Sequence, residues 1–169
     1  MTGFLFDLSF WLAAPVWLLM IFAPAWRVTA RVAASPLTVV PILVVYLALA
    51  VPVLPELWAA VRSPSLDGFR ELTALADGAG AVWAQVIGWD LLIGQWMYRE
   101  GRRLGVHALV MGPLLVFTIL LSPFGVLVFL GLRAMVGGGG GRRRGAAGEA
   151  GAGSAPGVTA AAGAARMDT

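Results

Sequence analysis

The residue whose position most directly suggests chemistry is Asp90, a carboxylic acid inside an otherwise apolar stretch at residues 79–98. An ionised carboxylate at the centre of a bilayer costs at least about 2.5–3.5 kcal/mol on insertion scales, so it must face protein or water, or hold a proton. Low-dielectric surroundings favour the uncharged form. Asp90 therefore predicts an acid, a base or a ligand anchor. The alternative is a structural carboxyl that is hydrogen-bonded to a neighbouring helix.

Helical periodicity groups further side chains around this carboxyl. At 100° per residue, Trp83, Gly94 and Tyr98 share the face of Asp90. Gly94 leaves space one turn away, and Tyr98 is positioned to close the site near the membrane interface. We therefore predict a site in which Asp90 is catalytic and these three residues bind the substrate.

Two other sets of residues in the same stretch predict helix packing. Gly80, Ala84 and Gly88 recur every four residues and form a stripe of small side chains on which another helix can pack closely. Gln85 and Gln95 lie roughly 140° from the face that carries the acid. We expect both amides to form hydrogen bonds between helices.

The composition excludes several kinds of catalytic site. The chain has no cysteine, one histidine and no lysine. Thiolate and multi-histidine metal sites, thiol nucleophiles and Schiff-base chemistry are therefore excluded, and we predict neither a metal nor a cofactor. His107 is expected to be interfacial. The arginines flank apolar runs or lie near the C-terminus, so we expect no nucleic-acid partner.

The elements that must position Asp90 are membrane helices. Apolar residues make up 59% of the chain and charged residues 12%, against about 25% charged in soluble domains. A spanning helix needs about 20 apolar residues. Residues 1–135 therefore predict an all-α integral membrane bundle, with a short interfacial helix in the polar connection between the second and third spans. The four predicted transmembrane helices are residues 8–26, 37–54, 79–98 and 108–132.

Residues 136–169 are rich in glycine, alanine and arginine and have no pattern that could bury a core. We predict a disordered tail. Its arginine triplet, Arg142, Arg143 and Arg144, is expected to contact anionic lipid headgroups. The alternative is a solubilising tail with no further role.

The arginines do not decide the orientation of four spans. One side would hold the polar connection and the tail, and the other side would hold the two remaining connections. The first side has Arg62, Arg70, Arg133 and the triplet, and the second has Arg27, Arg31, Arg99, Arg102 and Arg103. Both sides are basic, so the positive-inside rule does not distinguish them.

The stretch from Trp83 to Gln95, WAQVIGWDLLIGQ, resembles the signature of the ABA4-like family, small membrane proteins related to a plant protein of neoxanthin formation. The family pattern has Trp-x-His, four residues, Asp-Leu and an arginine five residues after the aspartate. Trp83, Asp90 and Leu91 fit, whereas Gln85 and Gln95 replace the histidine and the arginine.

Two further stretches resemble the family, so that the resemblance covers about residues 4–135. FDLSFWLAAPVWLLMIFAP is similar to its first helix. Pro123, Gly125 and Arg133 match its closing pattern, in which Ser122 replaces a glycine.

The resemblance implies a four-helix membrane protein that supports carotenoid or isoprenoid conversion, as a cofactor-independent isomerase or an accessory factor. Opening an epoxide to an allene needs an acid at oxygen and a base at carbon, and Asp90 would be the acid. The expected partners are the bilayer and a carotenoid-like ligand, in a bacterial plasma membrane. One alternative is a non-catalytic assembly protein that binds a membrane protein or a second copy of itself. A weaker alternative is a proton or solute carrier.

Overall fold

The chain folds as helices joined by short turns. The computed structural model describes residues 1–136, and no strand occurs in this part. The α-helices are α1 Thr2–Phe22, α2 Arg27–Ala34, α3 Val40–Ala50, α4 Leu54–Arg62, α5 Leu66–Ala74, α6 Ala76–Arg103, α7 Ala108–Leu120 and α8 Ser122–Val136. The predicted all-α class is confirmed. Almost all of the predicted tail, with its arginine triplet, lies outside the described residues.

Two helical segments are long and apolar enough to cross a membrane. They are α1 and the unbroken run Pro36–Arg62, in which the 3-10 turns Pro36–Val39 and Val51–Val53 flank α3 and lead into α4. Pro41 and Pro52 each occupy the first or second position of a helical stretch, where the missing N–H removes little bonding. The prolines in this run therefore do not interrupt it.

Helix α6 is central, since α1, α3, α5 and α7 all pack against it. Glycines permit this close packing. The indole of Trp17 in α1 occupies the space that a side chain at Gly94 would need, and Leu49 of α3 lies 3.2 Å from where a Cβ of Gly80 would be. The predicted third span, residues 79–98, lies within α6, which continues to Arg103.

The predicted fourth span, residues 108–132, is wrong as a single helix. Helix α7 begins beside the C-terminal end of α6, where the sulfur of Met111 lies 2.7 Å from the position of a Cβ at Gly101. It runs antiparallel to α6 as far as Thr118, whose hydroxyl lies 3.7 Å from the sulfur of Met97. With 13 residues, α7 is about 20 Å long, which is shorter than the ~30 Å hydrocarbon core.

The chain then reverses, and α8 returns toward the end of α6 from which α7 came. The ring of Phe129 packs edge-on against Trp96 with centroids 5.3 Å apart. Farther along, Nε of Arg133 lies 3.0 Å from a carboxylate oxygen of Glu100. Helices α7 and α8 therefore form a hairpin whose two outer ends lie together.

The backbone reverses its direction at Leu121. Leu121 leaves the helical conformation at φ −142° and ψ 63°. Pro123 is the second residue of α8, where its missing N–H removes little bonding, so the new helix can begin directly after Leu121. A side chain at Gly125 would collide with the hydroxyl and backbone of Thr118, so glycine is required where the two helices meet.

The bundle has two ends of opposite charge. At one end, Thr2 donates a hydrogen bond of 2.6 Å to Asp77, and at the other end Tyr98 donates one of 2.6 Å to the carbonyl of Pro24. We call the first the acidic end; it carries Glu56, Asp67, Glu71 and Asp77 with Arg62 and Arg70. We call the second the basic end; it carries Arg27, Arg31, Arg99, Arg102, Arg103 and Arg133 with Glu100.

The connections between the long helices also contain helices. The short helix predicted in the polar connection is present as α5, and its N-cap Ser65 accepts a hydrogen bond from the backbone N–H of Gly68. Helix α2 was not predicted. Its Thr29 is fully buried and donates to the carbonyl of Ala23, which fixes α2 against the end of α1.

Candidate functional site

Asp90 lies at the midpoint of α6 and is half-buried. It lines a groove of about 500 Å³ between α6, the tip of the α7–α8 hairpin and α5. The residues that line it are Phe69, Val82, Gln85, Val86, Trp89, Asp90, Ile93, Ser122 and Pro123. We call this space the Asp90 groove.

The lining of the Asp90 groove is apolar apart from three side chains. The hydroxyl of Ser122 lies next to the carboxyl of Asp90 and is placed to donate a hydrogen bond to it. Gln85 supplies an amide one and a half turns earlier on α6. No arginine among residues 1–136 lines the groove, so within that part of the chain Asp90 has neutral neighbours there.

The three predicted substrate-binding residues do not line the Asp90 groove. Trp83 stacks on Phe6 with centroids 4.9 Å apart, and its buried indole N–H has no hydrogen-bond partner within residues 1–136. The ring of Trp17 from α1 occupies the space beside Gly94, so no space for a ligand is left there. A substrate-binding role for these residues stays a prediction.

Tyr98 lies at the basic end and is almost fully buried at 2% exposure. Besides donating to the carbonyl of Pro24, its hydroxyl accepts a hydrogen bond of 3.1 Å from Arg102. Asp90 and Tyr98 are two helical turns apart, about 12 Å along the axis. The structure therefore separates Tyr98 from the Asp90 groove.

The two glutamines, expected to behave alike, have different environments. The buried side chain of Gln95 donates a hydrogen bond of 2.5 Å to the hydroxyl of Thr38, which links α6 to the start of the Pro36–Arg62 run as expected. Gln85 instead is exposed and lies in the same groove as Asp90, although it was expected to point well away from the acid. The angular separation did not exclude this because the groove covers an arc of roughly 140° on one face of α6, with Gln85 at one edge and Asp90 at the other.

The small-residue stripe packs within the chain. A Cβ at Gly88 would lie 3.6 Å from Ile42 and from Val39, and Ala84 is fully buried in a cluster with residues of α3. Gly80, as described above, meets Leu49. All three positions therefore contact the Pro36–Arg62 run.

Within residues 1–136, no three histidine or acidic side chains lie together as ligands for a metal ion. His107 is exposed at the start of α7, where its Nδ1 accepts a hydrogen bond of 3.2 Å from the N–H of Leu109. It acts as a helix cap.

Comparison with known families identifies the family of the chain. A family model described as ABA DEFICIENT 4-like matches residues 4–129. The chain belongs to the ABA4-like family. No curated protein and no solved structure matches it. The matched region of this ABA4-like chain includes every residue that lines the Asp90 groove.

The sequence did not identify the residues that close the Asp90 groove from outside α6. Ser122 and Pro123 come from the hairpin tip, and Phe69 comes from α5. The available signal was Ser-Pro inside an apolar run, which favours a break in a helix. In this ABA4-like chain the break places a hydroxyl beside the carboxyl.

Proposed function

We propose that this ABA4-like chain is an integral membrane protein in which α1, the Pro36–Arg62 run and α6 cross the bilayer and the α7–α8 hairpin enters it from one side. The support is the outward placement of apolar side chains. Only 28% of the most apolar window of α1 is buried, and 33% of that of the Pro36–Arg62 run. A core helix of a soluble protein would bury most of such a window, because exposed apolar surface of this extent drives association.

We further propose that the Asp90 groove binds an elongated isoprenoid, such as a carotenoid, and that Asp90 acts on its oxygen function. The observation that supports this is a half-buried carboxyl in an apolar, aromatic-lined groove at the midpoint of α6. Trp89 and Val86 on its wall are 62% and 44% exposed. A polyene would reach the groove from the lipid without crossing water.

The lining restricts the chemistry. Asp90 is its one titratable side chain within residues 1–136, since Gln85 and Ser122 neither gain nor lose protons near neutral pH. An isomerisation that protonates an oxygen and removes a proton from carbon returns as many protons as it takes. Asp90 would therefore donate its proton first, and the resulting carboxylate would accept the one that carbon releases. The hydroxyl of Ser122 would stabilise that carboxylate.

The test is the pigment and isoprenoid profile of a deletion strain complemented with variants. We expect wild type to restore the profile and Asp90→Asn, which keeps the shape but not the acid, to fail. Asp7→Asn is the matched control, because Asp7 is exposed in α1 away from the groove. A deletion strain with an unchanged profile, or full restoration by Asp90→Asn, would refute the proposal.

The alternative of an assembly protein loses its proposed contact surface. The stripe of Gly80, Ala84 and Gly88 is covered by the Pro36–Arg62 run, so a partner would need another face. Gly88→Leu would first disturb the contacts with Ile42 and Val39 inside the bundle. A loss of assembly in that variant would therefore not identify an intermolecular interface.

A further inference from the structure

A second cavity lies at the basic end, away from the Asp90 groove. It has a volume of about 170 Å³ and is lined by Pro24, Tyr98, Arg102, Ala108 and Met111, among others. Ala108 also lines a shallow apolar furrow of about 500 Å³ that runs between the end of α1 and α7. The two spaces therefore adjoin at Ala108, with a cation beside the first and apolar side chains along the second.

The guanidinium of Arg102 is held in position at this cavity. Its Nη1 donates to the carbonyl of Pro24 and, at 3.1 Å, to the hydroxyl of Tyr98, and the group lies 5.8 Å from the centroid of the Tyr98 ring. Nη2 and Nε make no hydrogen bond within residues 1–136. Arginine binds phosphate in two-pronged geometry, so an oriented guanidinium with donors to spare suits a phosphodiester.

The furrow has the length of one lipid chain. It follows α7 from Ala108 to Leu120 and is walled by Phe22, Val116 and Phe117. That length of helix rises about 18 Å, close to the ~15 Å depth of one leaflet. An acyl chain whose phosphate lies at Arg102 would run along the furrow toward the bilayer midplane.

The charge of the basic end indicates which leaflet is in contact with it. Because α8 returns, Arg133 joins the arginines of α2 and α6, whereas a fourth crossing would have placed it at the acidic end. Within the described part of the chain, the basic end then carries six arginines and one glutamate, whereas the acidic end carries two arginines and four acidic residues. The positive-inside rule places the basic end in the cytoplasm, where the leaflet is rich in anionic lipid.

We propose that the cavity beside Arg102 and the adjoining furrow between α1 and α7 together bind one anionic glycerophospholipid of the cytoplasmic leaflet. The phosphate is bound by Arg102, and one acyl chain lies on α7. This inference rests on the membrane insertion proposed above but not on any chemistry at Asp90. Its variants lie outside the Asp90 groove, so the two proposals fail separately.

The experiment measures lipid-dependent thermal stability of the purified full chain in detergent, with dioleoyl-phosphatidylglycerol or dioleoyl-phosphatidylcholine added. Wild type should bind phosphatidylglycerol more tightly. Arg102→Gln should weaken that binding about tenfold, the value of one lost charge-assisted hydrogen-bonded contact. Arg99→Gln is the matched control, an exposed arginine of α6 that does not line the cavity, and should retain the wild-type affinity.

A second pair of variants tests the furrow. Ala108→Trp fills the junction of cavity and furrow and should also weaken phosphatidylglycerol binding, whereas Val110→Trp, exposed on the same helix but outside both spaces, should not. Because both positions are exposed, these variants test the proposal even if Arg102→Gln fails to fold.

Three results would overturn the proposal. Equal affinity for the two lipids would mean that the headgroup charge is not recognised. An equal loss in Arg99→Gln would mean diffuse attraction instead of a site. Stabilisation by inorganic phosphate alone, dependent on Arg102 and undiminished in Ala108→Trp, would indicate a soluble phosphate compound.

Discussion

The Pro36–Arg62 run and the segment from α7 to α8 are both apolar and both contain internal prolines. The sequence alone predicts a single membrane span for each. One is continuous and the other reverses at Leu121. The difference lies in what surrounds the prolines. In the first run each proline starts a helical stretch, and the chain beyond it continues in the same direction. In the second segment, the absence of a side chain at Gly125 lets Thr118 pack closely against α8. The ion pair between Arg133 and Glu100 fixes the C-terminal part of α8 against α6. Proline permits a reversal, but tertiary contacts determine it.

The largest expected effect concerns topology, because an introduced cysteine on one side of the membrane either reacts with an impermeant reagent or does not. The chain has no cysteine, so single cysteines can be introduced directly. With an impermeant maleimide on intact cells, Asp67→Cys at the acidic end should react. Arg103→Cys at the basic end and Gly131→Cys on α8 should react only after permeabilisation. Labelling of Gly131→Cys together with Asp67→Cys would mean that the second segment crosses the membrane like the first.

The next effect is on stability at the point of reversal. Gly125→Ala places a methyl group against Thr118 and should cost about 1–3 kcal/mol, as overpacking does in well-packed cores. Gly131→Ala is the control, since a side chain there meets nothing within 4 Å. Unfolding temperatures in detergent compare the two. A similar value for both variants would show that the α7–α8 contact is not close.

A smaller effect is expected at the returning end of α8. Glu100 is 13% exposed and pairs with Arg133 at 3.0 Å and with Arg103 at 3.7 Å. Arg133→Gln should lower stability by about 1 kcal/mol, and Arg103→Gln by less, because Arg103 is 80% exposed and solvent screens it. The same thermal measurement compares the two variants. A larger loss of stability in Arg103→Gln than in Arg133→Gln would contradict this prediction.

The smallest effect should come from the prolines themselves. Pro52→Ala and Pro123→Ala should each change stability by less than about 1 kcal/mol, and Pro123→Ala should leave the labelling of Gly131→Cys unchanged. A switch of Gly131→Cys to the opposite side in the Pro123→Ala background would show that proline alone sets the reversal.

The sequence predicted what depends on composition and local pattern. It placed the second and third apolar segments on helices, anticipated α5, and identified the hydrogen-bonding role of Gln95. The first predicted span, residues 8–26, is helical only as far as Phe22, where α1 ends. It failed where a distant neighbour decides. Gly94 lies on the predicted face of Asp90, but Trp17 fills the space beside it. A helical wheel gives the direction of a side chain and not the residue that occupies the space in front of it.

The reversal at Leu121 has a consequence for the hydration of the bilayer interior. Backbone that is not helical survives at such a depth only against protein or beside water, because lipid tails cannot satisfy its N–H and C=O groups. The Asp90 groove opens beside this turn. With the hairpin inserted as proposed, we expect water molecules to accompany the turn into the hydrocarbon layer. Asp90 could then exchange its proton with solvent while the proposed isoprenoid stays among the lipid chains.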